Sequence, residues 1–272
     1  MTLPATGAVG AAPHLLIIGE ALVDIVVPLA GEVAEHPGGS PANVAESHVA
    51  IHPDSSGAER TSTALARLDA SGAASYEFDL EWRLPTVERL MADLSGAAVV
   101  HTGSIGALLD AEAGVGDHVA ALLAAARAQA LVTYDPNVRP AILPDRAAVR
   151  AGVEARVALA DVVKASDEDL MWLYPGEDVA AVAARWAAAG PGLVVVTRGG
   201  EGALALTAGG VVVEAPAARV SVVDTVGTGD SFMGALIDGL VARGLVTAGA
   251  RAAVAALPAH EVAAIVAWCV AV

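Results

Sequence analysis

The 272-residue chain contains few cysteines, few aromatic residues and no long apolar run. Its one cysteine, Cys269, excludes an intrachain disulfide framework and a cysteine-based zinc site, and we expect it to be a buried apolar residue. Hydrophobic residues make up 55% of the chain but aromatic residues only 3%, so a large core must be built from Ala, Val and Leu. The length fits one large α/β domain, or one domain with a small appendage.

Positive charge is also scarce, since 15 Lys and Arg face 31 Asp and Glu and the formal net charge is −16. We therefore expect neither a nucleic acid nor an anionic membrane surface as a partner. An anionic substrate would need a local positive pocket, such as a helix N-terminus. The only lysine, Lys164, follows Val163, which excludes a P-loop, and the His-Arg-Asp and Asp-Phe-Gly motifs of protein kinases are missing.

The two ends of the chain give no sign of a membrane segment or a leader. The apolar run 262–272 is too short to cross a bilayer. Residues 1–13 are rich in Gly, Ala and Pro and have no basic start, so they do not read as a signal peptide. We predict a disordered tail over 1–13, a folded domain over 14–272, and a cytoplasmic location.

The most informative stretch is residues 224–236, which read DTVGTGDSFMGAL. They predict a strand end, a tight glycine turn and a helix beginning near Thr228. The N-terminus of such a helix attracts a phosphate or a developing negative charge. Asp230, beside this anion pocket, could take a proton from a hydroxyl group. The alternative is a capped helix in which Asp230 only complements the dipole.

Two further motifs lie near the N-terminus. A buried strand over 14–19 is followed by Glu20 and Asp24, without the GxGxxG of a dinucleotide-binding fold. Asp24 could accept hydrogen bonds from two adjacent hydroxyls, or it could be a solvated turn residue. In residues 38–45 (GGSPANVA), a proline at a helix start predicts a glycine-rich loop that leads into a helix carrying Asn43.

The rest of the chain predicts two kinds of sheet. Segments 60–68 and 73–80 alternate around a four-residue turn, as in a β-hairpin. From residue 97 onward, strands alternate with helices, which predicts a mostly parallel, doubly wound sheet with helices on both faces. The predicted strands are 97–101, 131–134, 161–164, 193–197, 203–206 and 211–215, and the predicted helices include 117–128, 247–256 and 260–270.

Three motifs follow strands of this sheet, at the edge where ligands bind in open α/β sheets. The first is DPNVR at 135–139, in which Asp135 and Arg139 could bind a ligand or form a structural ion pair. The second places Ser166 three residues before Asp169, the spacing of a capping box. The third is TRGGEG at 197–202, which could approach a ligand or simply join two strands.

Together these motifs resemble those of the PfkB family of carbohydrate kinases, which is ribokinase-like, and they look most like the fructokinases. Residues 38–45 resemble the first signature of the family and 224–236 the second. The resemblance implies an α/β doubly wound sheet with a small β lid, whose strands would lie around 22–33 and 60–80. It also implies ATP-dependent phosphorylation of a sugar's primary hydroxyl and a homodimer formed through the lid. Fructose is the favoured substrate, and ribose, 2-keto-3-deoxygluconate and nucleosides are the alternatives.

The resemblance also assigns roles to residues. Asp230 would be the general base, and the turn of Gly227, Thr228 and Gly229 would bind the transferring phosphoryl group. Magnesium would bridge the ATP phosphates, with Asp169 as its candidate protein ligand. The sugar would contact Asp24, Gly38, Gly39, Asn43 and Arg139, and the nucleotide would contact Thr197, Gly199, Gly202 and Thr225.

The sequence departs from the family pattern in three places. Residues 46–59 are polar and too few for the βα units that relatives have there, so we infer that a block is missing; a metal pair of His48 and His52 is not expected beside Pro53. The last helix stops early, at Val272. Ser166 and Asp169 replace the usual Asn-x-x-Glu. The alternative is therefore a truncated, catalytically impaired remnant that binds a sugar or a partner, because lost strands would expose a sheet edge.

Overall fold

The structure is a computed structural model that describes residues 14–28, 32–45, 60–68, 74–81, 84, 87–103, 105–112, 117–218, 227–247 and 249–272. The predictions for the tail 1–13, the segment 46–59 with its two histidines, the hairpin turn and Thr225 lie outside these residues. None of the helices in the described ranges is both long and apolar enough to cross a membrane.

The strands of the described residues are β1 His14–Ile18, β2 Leu22–Val27, β3 Ala34–Gly38, β4 Ser62–Leu68, β5 Ala74–Asp79, β6 Ala97–Gly103, β7 Leu131–Asp135, β8 Val162–Ser166, β9 Leu193–Thr197, β10 Ala203–Thr207 and β11 Val212–Ala215. The helices are α1 Ser40–Ala45, α2 Val87–Asp93, α3 Gly106–Glu112, α4 His118–Ala126, α5 Arg146–Leu159, α6 Asp167–Leu173, α7 Val179–Ala189, α8 Thr228–Val241, α9 Ala250–Ala255 and α10 Ala259–Ala271.

The main sheet has the strand order β1-β6-β7-β8-β9-β10-β11. Its first five strands run parallel, and β10 and β11 join them antiparallel at one edge. The predicted strands from residue 97 onward are all present, with bounds that differ by at most two residues. The prediction of a mostly parallel sheet is confirmed.

Helices cover both faces of this sheet, so its central strands are buried on both sides. In β9, Leu193 and Val195 pack into one hydrophobic cluster with α8, α9 and α10. The alternate residues Val194 and Val196 pack into the other, with α4, α5, α6 and α7. Two buried faces explain why these strands read as continuous apolar runs rather than as alternating ones. Cys269 is buried in the first cluster, as expected, and burial raises the pKa of its thiol to about 12.

A second, smaller sheet has the strand order β3-β2-β4-β5. The predicted pairing of 60–68 with 73–80 is present as the antiparallel pair of β4 and β5. Strand β3 was not predicted, because its sequence AEHPG contains Pro37 and Gly38 and reads as a loop. It forms an edge strand of the small sheet, a position that tolerates proline because one row of backbone groups needs no partner there.

Candidate active site

The glycine turn at Gly227 leads directly into helix α8. Gly227 has a φ of 75°, in the left-handed region, and the 14-residue helix begins at Thr228, as predicted. Glycine adopts this conformation without steric cost, which explains its presence at the turn. Asp230 lies in the first turn of the helix and is 7% exposed. A buried carboxylate is therefore held at the positive end of the helix dipole.

Helix α1 orients the Asp230 carboxylate through two hydrogen bonds. Ser40 Oγ donates to Asp230 Oδ1 at 2.6 Å, and Asn43 Nδ2 donates to Oδ2 at 2.8 Å. The two helices can approach closely because α8 has a glycine at their contact, Gly234, where a Cβ would lie 3.0 Å from the Val44 carbonyl oxygen. The predicted sugar-binding residue Asn43 thus contacts the predicted base directly. The part played by Ser40 was missed in the sequence.

Gly38 and Gly39, just before α1, lie close to the Asp24 side chain and to the backbone at Glu20. A Cβ at Gly38 would overlap the Asp24 carboxylate, and one at Gly39 would lie 2.6 Å from the Glu20 carbonyl oxygen. Gly39 also has a φ of 105°. Only glycine fits either position without a shift, so the GG pair brings the start of α1 against β2.

Asp24 lies within β2, opposite His36 of β3, and not in a solvated turn. Its side chain is half-buried, and this burial raises the pKa of its carboxyl group. His36 opposes that rise, and the charge of Asp230 adds to it. The two carboxylates therefore lie within electrostatic reach of each other near the start of α1. We call the group Asp24, Ser40, Asn43 and Asp230 the carboxylate cluster.

A buried ion pair lies next to the turn of α8. Lys164 Nζ donates to Asp135 Oδ2 at 2.7 Å and to the Gly229 carbonyl oxygen at 3.1 Å. Burial raises the pKa of the Asp135 carboxyl group to about 6, against the opposing effect of Lys164. Burial, together with the Lys164 charge, lowers the pKa of His101 to about 3. The importance of Lys164 was missed, although a lysine inside a buried apolar strand requires an acidic partner.

The alternative interpretation of Asp135 and Arg139 as an ion pair is wrong, because the partner of Asp135 is Lys164. Arg139 is exposed and donates from Nη1 to the Val138 carbonyl oxygen at 3.0 Å. Among the described residues, no recorded contact joins Arg139 to the carboxylate cluster. Its sugar-binding role stays a prediction.

Asp169 forms the capping box that its spacing from Ser166 predicted. Its Oδ2 accepts the Ser166 N–H at 2.9 Å, and its Oδ1 accepts the Val138 N–H at 2.8 Å. Both carboxylate oxygens are thus engaged by backbone groups, which does not favour direct ligation of a metal. In the part of the chain that the structure describes, no three acidic, His or Cys residues group together as a metal site. The metal role of Asp169 stays a prediction.

Three of the predicted nucleotide-binding residues, Thr197, Gly199 and Gly202, lie at or just beyond the carboxyl end of β9. Thr197 pairs with Ser166 in the register of β9 and β8. A short 3-10 turn over Gly199–Glu201 then leads to Gly202, which has a φ of 96° and whose Cβ would overlap the Ala215 carbonyl oxygen. These glycines do join two strands, as the alternative held. Their contact with a nucleotide stays a prediction, and Thr225 lies outside the described residues.

Comparison with known proteins agrees with this architecture. The model of the pfkB family of carbohydrate kinases matches residues 46–270. A fructokinase of Klebsiella pneumoniae is 31% identical over 266 residues, which span 84% of this chain and 85% of that protein. The chain therefore belongs to the pfkB family of carbohydrate kinases and is a sugar kinase by descent.

Solved structures share the fold. The structure of a fructokinase with bound ATP from Xylella fastidiosa matches with a TM-score of 0.74 at 24% identity, over 95% of this chain and 90% of that one. A fructokinase double mutant from Vibrio cholerae, with fructose, ADP and potassium bound, matches with a TM-score of 0.68 at 23% identity, over 94% and 88% of the two chains. At these identities the likeness establishes the ribokinase-like fold.

Proposed function

We propose that this protein transfers the γ-phosphoryl group of ATP to the primary hydroxyl of a sugar, and that the sugar is fructose. The observation that carries the proposal is Asp230, a buried carboxylate in the first turn of α8 with a hydrogen-bond donor on each oxygen. The names of the relatives support the choice of sugar, and the ATP and fructose bound in neighbouring structures support the pair of substrates.

In this proposal the sugar lies between β2 and the N-terminus of α8. Asp24 accepts hydrogen bonds from two of its hydroxyls, and Asn43 supplies an amide that can donate and accept. Gly38 and Gly39 present backbone without side chains, so the sugar can approach closely. Arg139 would contact the far side of the sugar.

Asp230 then acts as the general base. Each carboxylate oxygen has two lone pairs, so Asp230 can accept the primary hydroxyl while it keeps its bonds to Ser40 and Asn43. As the hydroxyl oxygen forms its bond to the γ-phosphorus, its proton moves to Asp230 and the bond from phosphorus to the bridging oxygen of ADP breaks. The fixed donors from α1 keep the carboxylate aimed at the reacting hydroxyl, which supplies orientation before the reaction begins.

The first turn of α8 holds the transferring group. Its backbone N–H groups and dipole favour negative charge, which increases on the phosphoryl oxygens during transfer. Thr197, Gly199, Gly202 and Thr225 would hold the nucleotide along the carboxyl edge of the sheet. Magnesium would enter with ATP and neutralise phosphate charge, as is general in phosphoryl transfer, and the Asp169 contacts give no reason to route a step through a protein-bound ion.

The small sheet would act as a lid over the sugar. It carries Asp24 on β2, so a sugar bound there is covered by the same element that binds it. A covered site excludes water, which would otherwise accept the phosphoryl group and hydrolyse ATP. The dimer through this lid and the cytoplasmic location stay predictions.

The test is ADP release by the purified protein with ATP and magnesium. Fructose, ribose, 2-keto-3-deoxygluconate and adenosine are compared at equal concentrations. We expect ADP release to depend on sugar, with the highest kcat/KM for fructose. Another preferred sugar would overturn the substrate assignment. Fructose binding by calorimetry without turnover would instead favour the impaired remnant.

A further inference from the structure

Lys164 is a buried charge that the mechanism above does not use. It is the only lysine of the chain, it lies on β8, and its side chain is 5% exposed. Removing an ammonium group from water is unfavourable unless paired hydrogen bonds compensate. Asp135 at the end of β7 supplies one such bond, and its side chain is 1% exposed.

The second contact of Lys164 reaches the phosphate-binding turn. Its Nζ donates to the Gly229 carbonyl oxygen at 3.1 Å, and a Cβ at Gly229 would lie 3.0 Å from the same nitrogen. The ammonium group is therefore packed directly against the backbone of the first turn of α8. This contact joins the first turn of α8 to β8.

Asp135 is not fully used by this pair. Its second oxygen, Oδ1, has no hydrogen-bond partner among the described residues. A buried acceptor without a hydrogen-bond partner is unfavourable and calls for an explanation. The Lys164 charge also acts on His101, where it contributes to the lowered pKa of the imidazole.

We propose that Lys164 is a positioning residue for phosphoryl transfer, anchored by Asp135, which fixes the Gly229 turn and adds positive charge beneath the helix N-terminus. This inference rests on the proposed function, because it assigns a role in the same site. Because Asp135 carries the opposite charge, the pair acts as a fixed dipole with its ammonium group against the turn, and it needs no reorganisation during the reaction.

Removing Lys164 alone would leave Asp135 as an uncompensated buried charge, which is itself destabilising. The test therefore uses two neutral double variants, Lys164→Met/Asp135→Asn and Lys164→Gln/Asp135→Asn. The Lys164→Gln variant keeps a polar group near Gly229, so the test can still be made if the Lys164→Met variant does not fold. Replacing both partners of a buried ion pair by neutral groups is often tolerated.

A second ion pair, between a buried arginine and a partly exposed aspartate, provides a control. Arg156 Nη2 on α5 donates to Asp117 Oδ1 at 2.8 Å, with the arginine side chain 1% and the aspartate side chain 33% exposed. Asp117 caps α4, and asparagine can also cap a helix, so Arg156→Met/Asp117→Asn removes a hydrogen-bonded ion pair without ending the helix. This pair lies on the face of the sheet away from α8.

We measure thermal unfolding, kcat and the KM for sugar in all variants. We expect the Lys164 variants to fold and to lose about 10²-fold in kcat, as when reacting groups are misplaced by about 1 Å, with the sugar KM little changed. The control should unfold earlier but keep its kcat within about twofold. A kcat within about twofold of wild type in a folded Lys164 variant, or an equal loss in the control, would overturn the inference.

Binding without chemistry separates this inference from the proposed function. Calorimetry gives the affinities for AMP and for a non-hydrolysable ATP analogue, adenylyl imidodiphosphate, in the absence of sugar. We expect the Lys164 variants to lose about tenfold in the preference for the analogue over AMP, and the control to keep it. That result would support the inference even if no sugar were phosphorylated. An unchanged preference would overturn it even if the wild type were an active kinase.

Discussion

Substituting Asp230 by asparagine removes its negative charge and leaves the shape of the side chain almost unchanged. The hydrogen bonds to α1 can persist in neutral form. The new amide oxygen can accept from Asn43 Nδ2, and the new amide N–H can donate to Ser40 Oγ, whose hydroxyl is free to rotate. The variant should therefore keep the arrangement of α1 and α8.

The expected effects on activity and stability differ widely in size. A positioned general base contributes about 10²–10⁴-fold to the rate, which corresponds to about 3–5 kcal/mol of the activation free energy. Charge-assisted hydrogen bonds are about twice as strong as neutral ones, so two weakened bonds should lower the free energy of unfolding by about 1–3 kcal/mol. In a chain of this length that change lowers the Tm by only several degrees, at about 2–4 °C per kcal/mol.

The assay is sugar-dependent ADP release, with kcat and KM measured separately, alongside thermal unfolding. Asp238→Asn serves as the control, since Asp238 is an exposed acid on the same helix. We expect Asp230→Asn to lose at least about 100-fold in kcat while Asp238→Asn stays near wild type. If folded Asp230→Asn kept more than about a tenth of the wild-type kcat, the assignment of the base would be wrong.

Three further predictions concern buried positions. In the folded protein His101 stays neutral, but in the unfolded chain it takes up a proton below pH 6.5, so the stability it contributes is lost as pH falls towards 3. The difference in unfolding free energy between wild type and His101→Gln should therefore shrink by about 1–2 kcal/mol from pH 6.5 to about pH 5. A difference that stays constant over this range would contradict the prediction. Gly202→Ala should destabilise the fold by about 2–4 kcal/mol in denaturant unfolding, because its φ is positive and its Cβ meets backbone, whereas Gly200→Ala, with open space around it, should change little. Gly38→Ala should raise the KM for sugar by about tenfold through displacement of Asp24, and an unchanged KM would argue against a sugar at this position.

The parallel sheet could be predicted from the sequence because its strands are short apolar runs that stop at a polar residue or glycine. The start of α8 could also be predicted, because Gly227 indicates a turn and the residues after it have the apolar spacing of a helix. Helices α5 and α7 were not predicted, although the sequence carries signals for both: Asp145 and Asp178 cap them, and α5 has its buried valines, Val149, Val153 and Val157, at helical spacing.

The contacts within the candidate site could not be read from the sequence. Ser40 and Asp230 are 190 positions apart, and their hydrogen bond depends on how α1 packs against α8. The pairing of Asp135 with Lys164 instead of Arg139 requires that β7 and β8 be neighbours in the sheet. In the sequence Arg139 is the basic residue nearer to Asp135, but in the sheet Lys164 is the one that reaches its carboxylate.

The most direct test of the central claim is identification of the product. The protein is incubated with ATP, magnesium and fructose, and the phosphorus products are resolved by NMR. We predict one new phosphomonoester for each ADP, with its phosphorus coupled to the protons of a primary carbon of the sugar. Inorganic phosphate in place of a sugar phosphate, or ADP formed at the same rate without sugar, would contradict the proposal that this protein is an active sugar kinase.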